Sequence, residues 1–153
     1  MADAGTSPAP PAHGDAHAHR QTFHLLRRVM QEHGARWQTR LPELTKLQYA
    51  VLRSVAEHPG IEQSAVMVAA GTDKATLATL LLRLEQRGLV VRTVDPGDRR
   101  RRLLELTDTG ARELTAAVPV ADAVDAELLA RLAPGDRAEL QRMSAVLADE
   151  DPR

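Results

Sequence analysis

Residues 71–107 read GTDKATLATLLLRLEQRGLVVRTVDPGDRRRRLLELT, and their pattern predicts a helix followed by a hairpin. In its first half, four leucines between positions 77 and 84 recur at i, i+3, i+4 and i+7, which predicts a helix with one apolar stripe. Thr72 is a suitable N-cap for that helix, and Gly88 ends it. The runs LVVRTV and LLELT follow, separated by a DPGD turn and four arginines, and predict a hairpin with a long basic tip.

The composition favours helices for the rest of the chain. Its 153 residues suit one domain, or one domain plus an extension, and 43% of them are apolar. Phe23, Trp37 and Tyr49 are the only aromatic residues, so the core must consist of Leu, Val and Ala. Because Leu and Ala are strong helix formers, we expect a mainly α protein with at most one small sheet.

Several classes of protein are excluded by what the sequence lacks. Without cysteine there is no disulfide scaffold, no Cys-based zinc site and no thiol sensor of peroxide. No apolar run approaches the roughly 20 residues that span a bilayer, and no signal-peptide pattern opens the chain. We therefore expect a cytoplasmic protein with no membrane partner.

Capping and breaking residues predict the remaining elements. Thr45 and Gln48 form a Thr-x-x-Gln capping box at the start of a helix that Pro59-Gly60 ends. Pro119 should kink or interrupt the helix that contains it. The predicted helices are 20–40, 45–58, 61–70, 72–87, 108–131 and 134–149, with Gly71 as a left-handed turn residue.

Two short helices joined at Gly71 are typical of a helix-turn-helix, whose second helix enters the DNA major groove. The hairpin would then be a wing. Residues 83–102 carry seven arginines against three acids, whereas residues 103–153 carry eleven acids against five arginines. This asymmetry favours a polyanion partner, although a solvent-exposed helix and a charged loop would give the same pattern. The side chains left outside the leucine stripe, and expected to reach phosphates and bases, are Thr72, Lys74, Thr76, Thr79, Arg83 and Arg87.

Three motifs make a resemblance specific. They are LEQRGLV at 84–90, Asp-Arg-Arg at 98–100 and LTDTG at 106–110, and the start LTKLQ at 44–48 agrees with them. Together they resemble the signature of the MarR family of bacterial regulators, over roughly residues 23–147. The resemblance implies a winged helix-turn-helix domain and a dimerisation domain formed by the N- and C-terminal helices.

The resemblance also implies an assembly and a partner. We expect a disordered tail at 1–19, dimerisation helices at 20–42 and 108–150, and the DNA-binding domain at 43–107. A homodimer would bind a palindromic double-stranded DNA operator with half-site centres about 10 base pairs apart. Repression is the usual mode of the family.

In the wing, the resemblance assigns roles to consecutive residues. Arg100 would enter the minor groove, and Asp98 would hold it through a charge-assisted hydrogen bond. Arg99, Arg101 and Arg102 would contact phosphates or strand edges. The recognition helix departs from the family pattern: with Thr at position 79, bidentate reading of guanine by an arginine there is impossible, so groove shape and thymine methyl contacts should matter more.

Members of this family commonly release DNA when a small molecule, often an aromatic acid, binds between the two domains. The first helix offers Arg27, Arg28 and His33 to pair a carboxylate and Trp37 to stack on a ring. Trp37 could instead belong to the dimer core, and His33 could make an ordinary polar contact.

Other functions find less support in the sequence. His13, His17 and His19 lie in the predicted tail, where nothing rigid would hold them at metal-ligand spacing. No phosphate-binding loop, catalytic triad or zinc motif is present, so we expect neither a cofactor nor an enzyme. A winged helix that binds only proteins is the remaining alternative.

Overall fold

The computed structural model describes the backbone of residues 13–148 and the side chains of residues 17–148. Within this range the chain is mainly helical with one small sheet, as predicted. The elements are α1 (His13–Arg40), α2 (Lys46–Glu57), β1 (Ile61–Glu62), α3 (Gln63–Ala69), α4 (Lys74–Gln86), β2 (Val90–Val94), β3 (Arg102–Leu106), α5 (Asp108–Leu129) and α6 (Pro134–Leu147).

The predicted capping residues are confirmed at α2 and corrected at α4. The Thr45 hydroxyl accepts from the Gln48 amide, and the Gln48 side chain accepts from the Thr45 amide, which completes the capping box. At α4 the N-cap is Asp73 and not Thr72, because the Asp73 carboxylate reaches two amides of the first turn. Gly71 has a φ of 59°, as the turn requires.

The wing belongs to a three-stranded antiparallel sheet in the order β1-β3-β2. The hairpin of β2 and β3 was predicted, whereas the Ile61–Glu62 strand was expected to be helical. Gly60, with a φ of 78°, turns the chain so that its amide donates to the Leu104 carbonyl at 3.0 Å, and Ile61 pairs with Leu104. A two-residue strand is too short to show a period in the sequence. Strand β1 is therefore recognised only by its pairing with the edge of β3.

The structure differs from the sequence prediction at α1, which begins earlier, and at α5, which is not interrupted at Pro119. Helix α1 begins at His13, within the segment predicted to be a tail, while residues 1–12 lie outside the described part. No proline stands between Pro11 and Pro42, so nothing in the sequence stops the helix from extending. Helix α5 continues through Pro119 without interruption.

The chain divides within α1 into two compact units, residues 1–35 and 36–153. In the described part of the first unit, apolar side chains of α1 are exposed, with Phe23 at 68% and Met30 at 56%. The second unit contains the hydrophobic core, in which α2, α4, the sheet and α5 meet. Its fully buried side chains include Val51, Leu52, Val55, Val66, Leu77, Leu81, Leu84, Leu89, Val90 and Leu104.

The bend between α3 and α4 is that of a helix-turn-helix. The two helices meet at 108°, within the range of about 90–120° for this motif. No single helix among residues 13–148 is long and apolar enough to cross a membrane. Helices α3 and α4 reach the required length and apolar composition only when the bent pair is counted together.

Gly110 permits a close approach between α5 and the wing. A Cβ atom at this position would lie 1.9 Å from the Leu89 carbonyl oxygen and 2.8 Å from its carbon. Both atoms are backbone, so neither can move aside without displacing β2 from the core. The neighbouring Thr107 amide donates to the same carbonyl at 3.1 Å, which holds the two segments together.

Gly110→Ala should therefore lower the free energy of unfolding by about 1–3 kcal/mol, the usual range for overpacking a filled site. Gly135→Ala is the matched control, because a Cβ at Gly135 in α6 would meet no atom within 4 Å. It should change stability by less than about 1 kcal/mol. Urea unfolding measures both, and equal effects of the two substitutions would contradict the close approach.

Asp73→Ala should destabilise α4 and lower the melting temperature, whereas Thr72→Ala should not. Hydrogen bonds from Thr76 and Ala75 hold the pKa of the Asp73 carboxyl below its ordinary value of 3.8. A lowered folded pKa means that the ionised cap stabilises the fold above the ordinary value and loses this effect as pH falls through the lowered value. The difference between wild type and Asp73→Ala should accordingly shrink in acid, as thermal melts at several pH values would measure. A larger effect of Thr72→Ala would contradict the capping assignment.

Candidate nucleic-acid interface

Helix α4 has two distinct faces. Leu77, Leu80, Leu81 and Leu84 are buried in the core, which confirms the predicted apolar stripe. The opposite face is exposed to solvent. It carries Lys74, Ala75, Thr76, Ala78, Thr79, Leu82 and Arg83, which include all of the predicted outward side chains except Thr72, which is half-buried, and Arg87, which follows the helix as its C-cap residue.

The two threonines on the exposed face have their hydroxyl protons engaged. Thr76 Oγ1 donates to Asp73 Oδ2 at 2.6 Å, and Thr79 Oγ1 donates to the Ala75 carbonyl at 3.1 Å. Each hydroxyl oxygen keeps a lone pair, so it can accept from an amino group of adenine or cytosine. Donation to a phosphate would first require either hydroxyl to break its present bond.

The turn at the wing tip is held by two aspartates. Asp95 Oδ1 accepts from the Gly97 amide at 2.8 Å, and Asp98 Oδ1 accepts from the Arg100 amide at 2.9 Å. The Asp98 carboxylate thus holds Arg100 by a charge-assisted hydrogen bond to its backbone amide, and not to its guanidinium. This is the usual behaviour of aspartate in turns, where its short side chain bonds the amide two residues later.

The cationic side chains of α4 and the wing fall into two groups, those bonded to another residue and those without a partner. Arg92 pairs with Glu85 at 2.8 Å, Arg87 pairs with Glu113, and Arg101 pairs with Glu62 at 3.0 Å. Arg102 donates to the Arg99 carbonyl at 2.7 Å. Within α4 and the wing, residues 74–106, four cationic side chains have no hydrogen bond or ion pair; these unpaired cations are Lys74, Arg83, Arg99 and Arg100.

Two clefts border α4. One, of about 450 Å³, lies between α3, the start of α4 and the wing, and it brings Lys74 together with Arg100 and Arg102. The other, of about 470 Å³, joins Thr76, Thr79 and Arg83 to the start of α2. Thr45 and Gln48 line this second cleft, and sequence reasoning assigned them only to helix capping. Their capping box was visible in the sequence, but their position beside α4 depends on the fold.

The candidate ligand residues lie in both units of the chain. In the first unit, Arg27 and Arg28 are exposed, Arg27 Nη2 is 3.0 Å from His24 Nδ1, and His33 is half-buried. In the second unit, Trp37 is 5% exposed, and its Nε1 donates to the Leu44 carbonyl at 2.6 Å.

Trp37 packs within a single chain. Its ring meets Tyr49 edge to face, with centroids 5.1 Å apart. Because the one N–H of its indole is already used, Trp37 can offer a ligand only ring contact.

A third cleft, of about 430 Å³, lies among the α1–α2 loop, the end of α4 and α5. Its apolar lining includes Leu41, Pro42 and Ala116. Arg87 crosses it, donating to the Glu43 carbonyl at 2.9 Å and pairing with Glu113 of α5. Sequence reasoning did not identify this cleft, because its residues come from three separate segments. Its volume lies within the range of small-molecule sites.

Comparisons with known proteins agree with this geometry. Residues 44–101 match the model of the MarR family. The chain is 54% identical over 120 residues to the transcriptional regulator HosA of Escherichia coli O111:H-, covering 78% of this chain and 88% of the relative. It is 34% identical over 133 residues to the HTH-type transcriptional repressor NicR of Pseudomonas putida, covering 86% and 84%.

Among solved structures, the chain resembles BpsR of Bordetella bronchiseptica, whose DNA binding is regulated by 6-hydroxynicotinic acid. The TM-score is 0.77 at 31% identity, and the match covers 84% of this chain and 98% of that chain. The predicted family and fold are confirmed. The chain belongs to the MarR family of winged helix-turn-helix transcriptional regulators, which are DNA-binding proteins and not enzymes.

Proposed function

We propose that this protein represses transcription by binding a palindromic operator as a homodimer, and that a small aromatic acid releases it. The observation that carries the DNA-binding role is the set of unpaired cations on α4 and the wing. The other arginines of this region bond carboxylates or, in the case of Arg102, backbone carbonyls, whereas Lys74, Arg83, Arg99 and Arg100 make no such bond. Free cations that neutralise phosphates release condensed counterions, which drives binding to DNA.

Both α4 and the wing would read the DNA sequence. Thr76 and Thr79 can accept from base amino groups, and their methyl groups can contact thymine. Arg100 would enter the minor groove, where a narrow groove strengthens the negative potential. Thr72 and Arg102 would contribute phosphate contacts, and Asp98 would act indirectly by shaping the wing tip.

A homodimer is supported by apolar side chains that the single chain leaves exposed. On α1 these include Phe23 and Met30, and on α6 Val146 and Leu147 are 57% and 73% exposed. Apolar surface of this kind on terminal helices favours burial against a second copy. The two α4 helices would then reach successive major grooves, about 10 base pairs apart. Similarity to the NicR repressor supports repression.

Two regions support a site for the acid. The predicted residues Arg27, Arg28, His33 and Trp37 offer cations and one aromatic ring, and the similarity to BpsR favours an aromatic acid. The 430 Å³ cleft is the second region, since Arg87 there links α4 to α5. A ligand that favours a dimer with wrongly spaced α4 helices would release DNA by population shift.

Arg100→Ala should lower operator affinity about fivefold to 150-fold, because an arginine contact worth about 1–3 kcal/mol is lost. The slope of log affinity against log salt should fall by about one. Arg53→Ala is the control: it removes the same charge from α2, where Arg53 pairs with Glu57 at 2.6 Å. Fluorescence anisotropy with labelled operator measures both variants. Equal affinity of the two variants would contradict the wing contact, and binding by wild type without sequence preference would favour a different role for the domain.

A thermal-shift screen of aromatic acids should identify the effector class. An acid at 100 times its Kd stabilises the native protein by about 2.7 kcal/mol. Arg27→Ala and Arg28→Ala should reduce the shift, whereas Arg20→Ala, an exposed arginine of the same helix, should not. A shift that survives both substitutions and disappears in Arg87→Ala would assign the acid to the 430 Å³ cleft.

A further inference from the structure

Arg101 connects the wing to the strand that enters the helix-turn-helix. Its Nε donates to Glu62 Oε2 at 3.0 Å, and its Nη1 lies 3.3 Å from Asp95 Oδ2. Glu62 is the last residue of β1 and immediately precedes α3, while Asp95 follows β2. One guanidinium therefore joins the wing tip to the end of β2 and to β1, which lies 39 residues earlier in the sequence.

The backbone around Arg101 reinforces this position. The Arg101 amide donates to the Asp98 carbonyl at 2.9 Å, and the Asp95 amide donates to the Arg101 carbonyl at 3.2 Å. The regular register of the hairpin ends at the pair Val94 and Arg102, so Arg101 stands where the strands stop and the tip begins. The tip that carries Arg99 and Arg100 extends from this point.

Charge balance argues against a direct role of Arg101 on DNA. If its guanidinium moved to a phosphate, Glu62 and Asp95 would be left as two unpaired carboxylates beside a polyanion. Glu62 also lines the 450 Å³ cleft that contains Lys74 and Arg100, so its charge acts on the same surface. Like charges brought together there would oppose binding.

We propose that Arg101 is a positioning residue, which holds the wing against β1 through Glu62 so that Arg99 and Arg100 reach DNA. This inference rests on the proposed function and replaces the predicted phosphate contact of Arg101. Glu62, although it is an acid on a DNA-binding surface, would then increase the affinity for DNA.

The substitution Glu62→Ala distinguishes a positioning role of Arg101 from a phosphate contact, because the two roles predict opposite changes in operator affinity. Glu62 makes no side-chain capping bond to α3, so its truncation leaves that helix end intact. If Arg101 positions the wing, Glu62→Ala should weaken operator binding about twofold to fivefold, as expected for one exposed ion pair. If Arg101 instead contacts phosphate, removing a nearby acid should tighten operator binding. Glu57→Ala, which breaks the ion pair within α2, is the matched control and should leave operator affinity unchanged.

A second measurement needs no DNA. Trypsin cleaves after arginine, so a loosened wing should be cut faster after Arg99 and Arg100 in Glu62→Ala than in wild type or Glu57→Ala. Faster cleavage together with weaker operator binding is the expected result. Unchanged cleavage, or operator binding that is unchanged or tighter, overturns the proposal. If wild type shows no operator preference, the proposed function fails, while the cleavage rate still decides whether Glu62 restrains the wing.

Discussion

The structure depends on the contact between the start of α5 and the chain that leaves α4. Thr107 Oγ1 donates to the Gly88 carbonyl at 2.6 Å, and the Thr107 amide donates to the Leu89 carbonyl. Gly110 packs directly over that same carbonyl. Both ends of the wing are thereby tied together, and the wing is joined to the helix that follows it. The LEQRGLV and LTDTG motifs thus face one another, which explains physically why this family signature contains both.

Some charged residues of the second unit form ion pairs that hold its helices in place, whereas others remain available to bind a partner. Arg36 and Arg40 both pair with Glu127, which ties the end of α1 to α5. Arg87 joins the end of α4 to α5 in the same manner. Exposed ion pairs contribute little to stability individually, but pairs between elements restrict how those elements can be oriented. The orientation of α4 relative to α5 is what the proposed homodimer must control.

Local features were predictable from sequence, and most contacts between segments were not. The leucine stripe, the Thr45 capping box and the left-handed Gly71 follow from residue type and spacing alone. Strand β1 requires the edge of β3, which lies about 40 residues later, and the partners of Arg101 require the same sheet. The N-cap of α4 was assigned to Thr72 because two capping residues stand side by side, and only geometry favours Asp73. Trp37 was expected at a dimer or ligand surface, and its burial depends on the loop that brings Leu44 over its indole.

We propose that α4 and the wing read a specific, palindromic DNA sequence. The decisive measurement is selection of binding sites by the wild-type protein from a pool of random duplexes. We expect enrichment of one inverted repeat whose half-site centres lie about 10 base pairs apart. Enrichment of no common sequence, or of a single site without symmetry, would contradict it.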